Sequence, residues 1–589
     1  MANLKAVLTR PKVSENYARN AFDRSCSVNT SYQLGGLDVV FAEPFVAGSH
    51  VKLNRAIFQR TADVNTAAFP KIDTHVEFFA VPIRQLWMWW NNYKLNIQDF
   101  GSTFQGSING TTQGFSPSGP ALPFFDVHDF LKEINTVLYD GTYDASNPPT
   151  YDYLASGVTY AAMQQHAMGA SRLLGALGYG QYPYRQVTDS SGGVSQVFGC
   201  NILKALAYQK VYYDYFRNTA YENNDPSYYN HDDLISASQI NKIRVGKIFN
   251  YRYVNYRKDY MQSIYPSLNY SVSNPNGLQW SIPDSVLYKE TTNRPLGSAS
   301  SSSIFSSTVD GGQVSLGNVV NQTFGISLST VQQIRAAFAL DKLLRATAYA
   351  PKHVRDQFEA RYGVKGVESD SECVRIGAYM NDIIIQEVVN TAASLGQIGG
   401  KGVGFNGFGK DIEFTCKEDC IILGLIYSLP RSSYDATFIQ NWNAKLDRED
   451  FFIPEFMNLG MQPFSQYENT FMNSVGGTLV AYWQGINGIV GYKDRYSEYK
   501  LGIDRNLGNF LKGGVLSDFV THSNQDIASL NYGSANANYF KVKPVDLDSV
   551  FVQATDPAKI STDKFITHID IKCICNQNMS VHGQPTAVS

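Results

Sequence analysis

Residues Cys420 to Pro430 read CIILGLIYSLP, apolar at nearly every position and closed by proline. A strand with one wet face alternates apolar and polar residues, while a strand covered on both faces has no need to. The stretch therefore predicts a central strand of a β-sandwich. Near the C-terminus, Phe565, Thr567, Ile569, Ile571, Cys573 and Cys575 alternate with Ile566, His568, Asp570, Lys572 and Ile574. That two-residue period predicts a half-buried strand. Thr74 to Pro82 (THVEFFAVP) and Asp382 to Val389 (DIIIQEVV) read as further strands. Between Leu34 and Val81 the apolar runs are short, punctuated by Gly35-Gly36, Pro44, Gly48 and Pro70.

Helical signals fall between these strands. Ser329-Thr330-Val331-Gln332 has the form of a capping box, followed by a stripe of Val331, Ile334, Phe338 and Leu344. A second helix is predicted over Asn201 to Phe216, with Ile202, Leu206, Tyr213 and Phe216 on one side. A third follows Pro351, through Val354 and Phe358. Gly106 to Pro123 and Ser298 to Gly312, the latter reading SASSSSIFSSTVDGG, are too polar and flexible to build core. No internal repeat is present, which argues against a propeller or solenoid. Strands at both ends, with helices and loops between, predict one mainly-β sandwich spanning 1–589 and carrying long insertions.

Composition narrows the function classes. Hydrophobic residues are 43% and charged residues 17% of the 589, which excludes a disordered chain. Aromatics reach 13%, with 37 Tyr and 34 Phe; such side chains suit surfaces buried against a partner and equally suit sugar binding. The net charge of −3 means that any contact with nucleic acid is local. The seven cysteines show no framework of spacings, the N-terminus lacks the apolar core of a signal peptide, and no apolar run approaches the roughly 20 residues of a membrane span. Folding in a reducing cytosol without membrane insertion is the simplest expectation. The first 33 residues are expected to form an extended arm, with Lys5, Arg10, Lys12, Arg19 and Arg24 against Glu15 and Asp23.

Catalytic and ligand motifs fail on inspection. Gly404 to Lys410 (GFNGFGK) fits the opening of a phosphate-binding loop, yet Asp411 stands where Ser or Thr should bind magnesium, and a strand follows instead of a helix. Cys416 and Cys420 with Cys573 and Cys575 have poor spacing for zinc, and the last two sit where their strand needs apolar residues. Asp447, Glu449 and Asp450 beside Phe451 and Phe452 read as a solvated or interface charge cluster rather than a glycosidase pair. No metal and no cofactor is expected. One segment fits a binding chemistry: Lys242, Arg244, Lys247, Arg252, Arg257 and Lys258, interleaved with Phe249, Tyr251, Tyr253 and Tyr256 and free of acids. Cations neutralise phosphates while rings stack on unpaired bases, the pattern of single-strand binding. A strand with a cationic wet face, or a subunit contact, reads the same way.

Several blocks together resemble the major capsid proteins of the microviruses, the Microviridae. Phe22-Asp23-Arg24-Ser25, then Pro44 and Gly48, resembles the family's opening. Phe78-Phe79-Ala80-Val81-Pro82-Ile83-Arg84 with Trp87 is similar to its "FFVP-R--W" strand end, and Ala207 to Asn218, containing Tyr215-Phe216-Arg217, to its "AY-K-----YFR" helix. Lys258-Asp259-Tyr260 resembles "KDYF", with Met261 in place of the aromatic; Arg335 to Leu340 with Phe338, then Tyr362-Gly363-Val364, resembles the helix and "FGV" element. Pro454-Glu455-Phe456 with Leu459-Gly460 is similar to "PEF--LG", and Arg495-Tyr496-Ser497-Glu498-Tyr499-Lys500 to "RYAEYK". The blocks stand in family order from Phe22 to Phe510; the likeness is poor over 98–199 and 268–327, which are expected to be divergent surface insertions of one branch.

The resemblance implies an eight-stranded antiparallel jelly roll with long inserted loops, about sixty copies of which close a T=1 shell. It further implies an enclosed circular single-stranded DNA genome, with the 242–258 segment or the cationic arm facing it. Implied partners are an internal scaffolding protein, a small DNA-binding protein, a DNA pilot protein, in some branches a spike protein, and a receptor on the host surface. Assembly would occur in the bacterial cytoplasm. The rival is an exported glycan-binding protein of a bacterial surface, which would need an export signal; a glycoside hydrolase would rest only on carboxylate clusters.

Overall fold

The computed structural model describes residues 19–62, 71–95, 122–140, 151–153, 159–181, 198–233, 239–266, 353–365, 371–389, 398–457, 460–469, 489–523, 535–547 and 563–581, with isolated residues and short strands elsewhere. The apolar run 420–430 is the centre of the fold. Strand β9 (Cys420–Pro430) is buried along its whole length, between β5 (Ile72–Pro82) and β3 (Asp38–Phe45), antiparallel to both. Gly424 marks the tightest point. A Cβ there would stand 2.8 Å from Phe78 Cε1 and 2.9 Å from Phe41 Cβ, so only glycine lets the three strands close up.

From β5 the sheet continues through β6 (Val374–Val389), β7 (Ile398–Asn406), β4 (His50–Thr61) and β12 (Phe565–Asn578) to β1 (Arg19–Asp23). The hydrogen-bonded path β1-β12-β4-β7-β6-β5-β9-β3 is antiparallel throughout. Two more strands lie beside it: β2 (Cys26–Tyr32) on β12 and β8 (Ile412–Thr415) on β4. Strand β6 makes the corner. Its first part, through Ile383, pairs with β5 and its second, from Ile384, with β7. One long strand shared between two sets of partners curls the sheet over a single core, the jelly-roll arrangement. The core contains Val51, Leu53 and Ile57 of β4, Ile569, Ile571, Cys573 and Cys575 of β12, Phe78 of β5 and Leu423 of β9.

A polar network crosses that core. Gln59 Nε2 donates to Tyr32 Oη (2.7 Å) and Thr567 Oγ1 (3.1 Å), Asn381 Nδ2 donates to Gln59 Oε1 (3.2 Å), and Ser428 Oγ lies 2.8 Å from Tyr32 Oη and 2.7 Å from Thr74 Oγ1. Six strands are tied together by buried groups that satisfy one another, which favours one register over a slipped one.

The helices pack outside the sheet. They include α1 (Val127–Asn135), α2 (Tyr160–Ala176), α3 (Leu203–Val211), α4 (Lys242–Ile248) and α5 (Val354–Tyr362). α3 falls inside the predicted 201–216 helix, and a π-helical turn, Tyr212–Phe216, completes it. It is buried on nearly every side rather than along one stripe, because the sheet lies beneath it and α4 above. A smaller core, with Tyr260, Met261, Ile264, Phe464, Val490 and Tyr539, sits beside β10 (Met461–Ser465) and β11 (Ile489–Asp494).

Of the stretch expected as an arm, residues 1–18 lie outside the described residues, while 19–32 supply β1 and β2. The expected insertion 98–199 contains α1 and α2, whose Phe130, Ile134 and Leu174 join the main core. The insertion 268–327 is described only in short strands; the predicted capping box and most of the helix over Ser329 to Leu344, with Arg335 and Phe338, lie outside the described residues, while Ala339 and Lys342 are helical.

Candidate functional site

The cationic segment folds as α4 and the extended chain after it, and most of its groups are engaged within the protein. Lys242 Nζ lies 2.6 Å from Asp129 and 3.1 Å from Asp152, and the hydrogen bond to Asp129 raises its pKa. Arg244 bridges Asp233 (2.7 Å) and the carbonyls of Asn230 (2.6 Å) and Ser227 (3.3 Å). Lys247 reaches over the Tyr228 ring. Arg252 is held most firmly. Its Nε donates to Gln209 (2.8 Å), and its guanidinium lies 4.7 Å from the ring centres of Tyr212 and Tyr228 and 5.2 Å from that of Tyr213.

The interleaved rings are inside as well. Tyr256 is buried and donates to Asp546, Tyr253 donates to Gln33 (2.9 Å), and Tyr251 lies above Gly169 of α2. The segment therefore presents no continuous cationic and aromatic face. Arg257, paired with Asp73 at 2.8 Å, keeps half of its side chain exposed, and Lys258 beside it is exposed with no ion pair among the described residues.

The remaining candidates resolve into structure. Gly404 to Asn406 end β7, a turn follows, and β8 begins at Ile412, so no helix N-terminus meets the glycine-rich run. Cys416 and Cys420 Sγ are 3.2 Å apart and buried, Cys573 and Cys575 are buried β12 side chains, and no metal-binding cluster occurs among the described residues. Asp447 and Asp450 cap an exposed 3₁₀ turn, Arg448–Asp450.

The family-type motifs sit at joints of the scaffold. Asp23 accepts from Ser25 N (2.9 Å) at the turn between β1 and β2, just after Phe22. Phe78 and Phe79 are wholly buried, Phe79 against Tyr215 (5.0 Å) and Phe216 (5.8 Å). Beyond Pro82, Arg84 forks onto Glu418 through two 3.0 Å bonds, and Trp87 is fully buried. Arg217 Nη1 donates to Glu222 O (2.7 Å). Asp259 accepts from Met261 N and Gln262 N (both 2.9 Å), and Tyr260 donates to Glu468 (2.7 Å). Pro454–Phe456, containing Glu455, is a 3₁₀ turn with Arg495 over the Phe456 ring. Tyr496 holds a left-handed φ of 61°, Glu498 pairs with Lys445, and Lys445 also lies 4.9 Å from the Tyr499 ring.

A surface that the sequence reading did not single out lies on the outer face of the sheet. Ile566 of β12, Arg60 of β4, Val403 of β7 and Ile384 of β6 stand opposite one another in register, and His568, Phe58 and Phe405 form the adjacent row. Residues directly opposite in antiparallel strands point to the same face. Phe405 is 72%, Ile384 64%, Ile566 56% and Phe58 37% exposed. The available signal was Ile566, an apolar residue in the polar phase of β12.

A family model described as "Capsid protein (F protein)" matches residues 12–105 and 178–585. The chain belongs to this family, the major capsid proteins of the microviruses. No curated protein matches it. As a capsid protein it is a structural component of the virion and associates with copies of itself. Its internal unmatched stretch, 106–177, falls inside the expected insertion 98–199. Among the described residues, no helix is long and apolar enough to cross a membrane.

Proposed function

We propose that about sixty copies of this capsid protein close a T=1 icosahedral shell around a circular single-stranded DNA genome, without catalysing a reaction. The observation that carries this reading is the family match along both arms of a curled antiparallel sheet whose outer face carries uncovered apolar side chains. Closed shells need surface that only neighbouring subunits bury. An internal scaffolding protein, a small DNA-binding protein, a DNA pilot protein, a spike protein in some branches and a host receptor complete the proposed partners, with assembly in the bacterial cytoplasm. Exported glycan binding, the rival function, gains no specific observation.

Of the six cations in the segment proposed to face DNA, Lys247, Arg257 and Lys258 are the exposed ones, and Lys258 has no ion pair among the described residues. Particles from infected cells should be closed, uniform and nuclease-resistant; capsid protein found only as free monomer would refute the shell. Replacing Arg257 and Lys258 by Ala should lower DNA content per particle while shell yield holds, and an unchanged DNA content would remove their role. Arg252→Ala is the contrasting variant. It strips a cation from three rings and should lower subunit thermal stability instead.

A further inference from the structure

The outer sheet face has a counterpart elsewhere on the chain. Residues 441–457 form an exposed knob of three 3₁₀ turns, Asn441–Ala444, Arg448–Asp450 and Pro454–Phe456. Its tip is apolar and open, with Leu446 90%, Trp442 53%, Met457 50% and Phe452 47% exposed. Around these stand four exposed carboxylates, Asp447, Glu449, Asp450 and Glu455, against the single exposed cation Arg448. The knob is also braced. Lys445 turns inward to Glu498 and the Tyr496 and Tyr499 rings, Trp442 packs on Phe451 at 6.0 Å, and the Asp447 amide donates to Asp450 at 3.4 Å. A preformed segment loses little freedom when it docks.

The sheet face has the opposite character. Phe58, Phe405, Val403, Ile384 and Ile566 supply a shallow apolar surface across four strands. Arg60 stands in the middle of it, its guanidinium 5.2 Å from the Phe58 ring centre, with no carboxylate partner among the described residues. A groove at its edge is lined by Asn29, Ser31, Arg60, Ile566 and His568. An apolar face with a central cation fits an apolar tip ringed with carboxylates. The same carboxylates would repel a phosphate backbone.

We infer that the knob at 441–457 of one subunit docks on the outer sheet face of a second copy, with Arg60 meeting the acidic ring of Asp447, Glu449 and Asp450. The two surfaces differ, so the contact is head-to-tail. Contacts of that kind build closed rings when the rotation between subunits completes a circle. The inference rests on the reading of this chain as a shell subunit and specifies one of the surfaces such a subunit uses.

The test places variants in cells that produce the complete phage. All the substituted side chains are exposed, so the subunit itself should keep its unfolding temperature. Phe58→Ser with Phe405→Ser should cut particle yield at least about tenfold, the cost of losing a central contact. Arg60→Glu should do likewise, and adding Glu449→Arg on the same chain should restore particles. Undiminished particles from the aromatic variant would overturn the docking, as would failure of the charge reversal to rescue. Normal shells with reduced DNA would also overturn it, by assigning the face to the genome. Should the unaltered chain form no particles, the shell reading itself fails, and the two failures are thereby told apart.

Discussion

Gly424 shows how one position sets the spacing of the sheet. It lies in register with Phe41 on one side and Phe78 on the other, and both aromatic side chains occupy the space a Cβ would enter. Gly424→Ala gains in strand propensity yet must displace rings in the centre of the core. It should cost about 1–3 kcal/mol, read as a lower unfolding temperature of the soluble subunit. An unchanged transition would mean that Phe41 and Phe78 shift freely. CIILGLIYSLP announced a buried strand through its continuous apolar character, and all of it is buried. That its one glycine is a steric requirement was not legible, because Phe41 and Phe78 lie hundreds of residues away in the chain.

Elements in this fold are tethered by pairs from different parts of the chain, and one tether contains a histidine. His353 precedes α5 and lies 3.4 Å from Glu372, just ahead of β6, while Glu372 also accepts from Val354 N at 2.7 Å. The hydrogen bond to Glu372 raises the His353 pKa above its ordinary value of about 6.5. A raised histidine pKa means that the folded state holds the proton more tightly. The contribution is therefore complete below about pH 6.5 and is lost as pH rises through the raised value. Amide exchange over residues 354–362, corrected for its intrinsic pH dependence, should accelerate as pH rises through the raised value, reflecting less than about 1 kcal/mol. Glu372→Gln should flatten the profile; a wild-type profile already flat would rule out the tether. The helix was legible from Val354 and Phe358 after Pro351, whereas its anchor was not.

At the scale of the molecule, the chain divides its apolar surface between a core that folding completes and outer faces that it leaves open. The knob and the sheet face are the clearest of these. Free subunits should therefore bind an apolar-surface dye strongly and assembled particles weakly, measured as fluorescence per subunit before and after assembly. Equal fluorescence would mean that the open faces stay uncovered in the shell. The candidate DNA segment teaches a complementary lesson. Six cations within seventeen residues formed a strong local pattern, yet Lys242, Arg244 and Arg252 meet Asp129, Asp233 and a cage of tyrosines, contributed by elements far from α4 in the chain or folded back upon it. Composition counts charges, and only packing decides which of them remain available.

What the sequence determined by itself was the information written between neighbours. The two-residue period of 565–575, the unbroken apolarity of 420–430 and the ordered family blocks specified strands, a jelly-roll class and capsid membership, because strand burial and motif spacing are local properties. Tertiary structure alone decided the curl through β6, the polar network around Gln59 and the pairing of Phe58 with Phe405 and His568 on one open face. Those outcomes depend on register between strands separated by hundreds of residues, and register is set by the joint fit of all the strands rather than by any one of them.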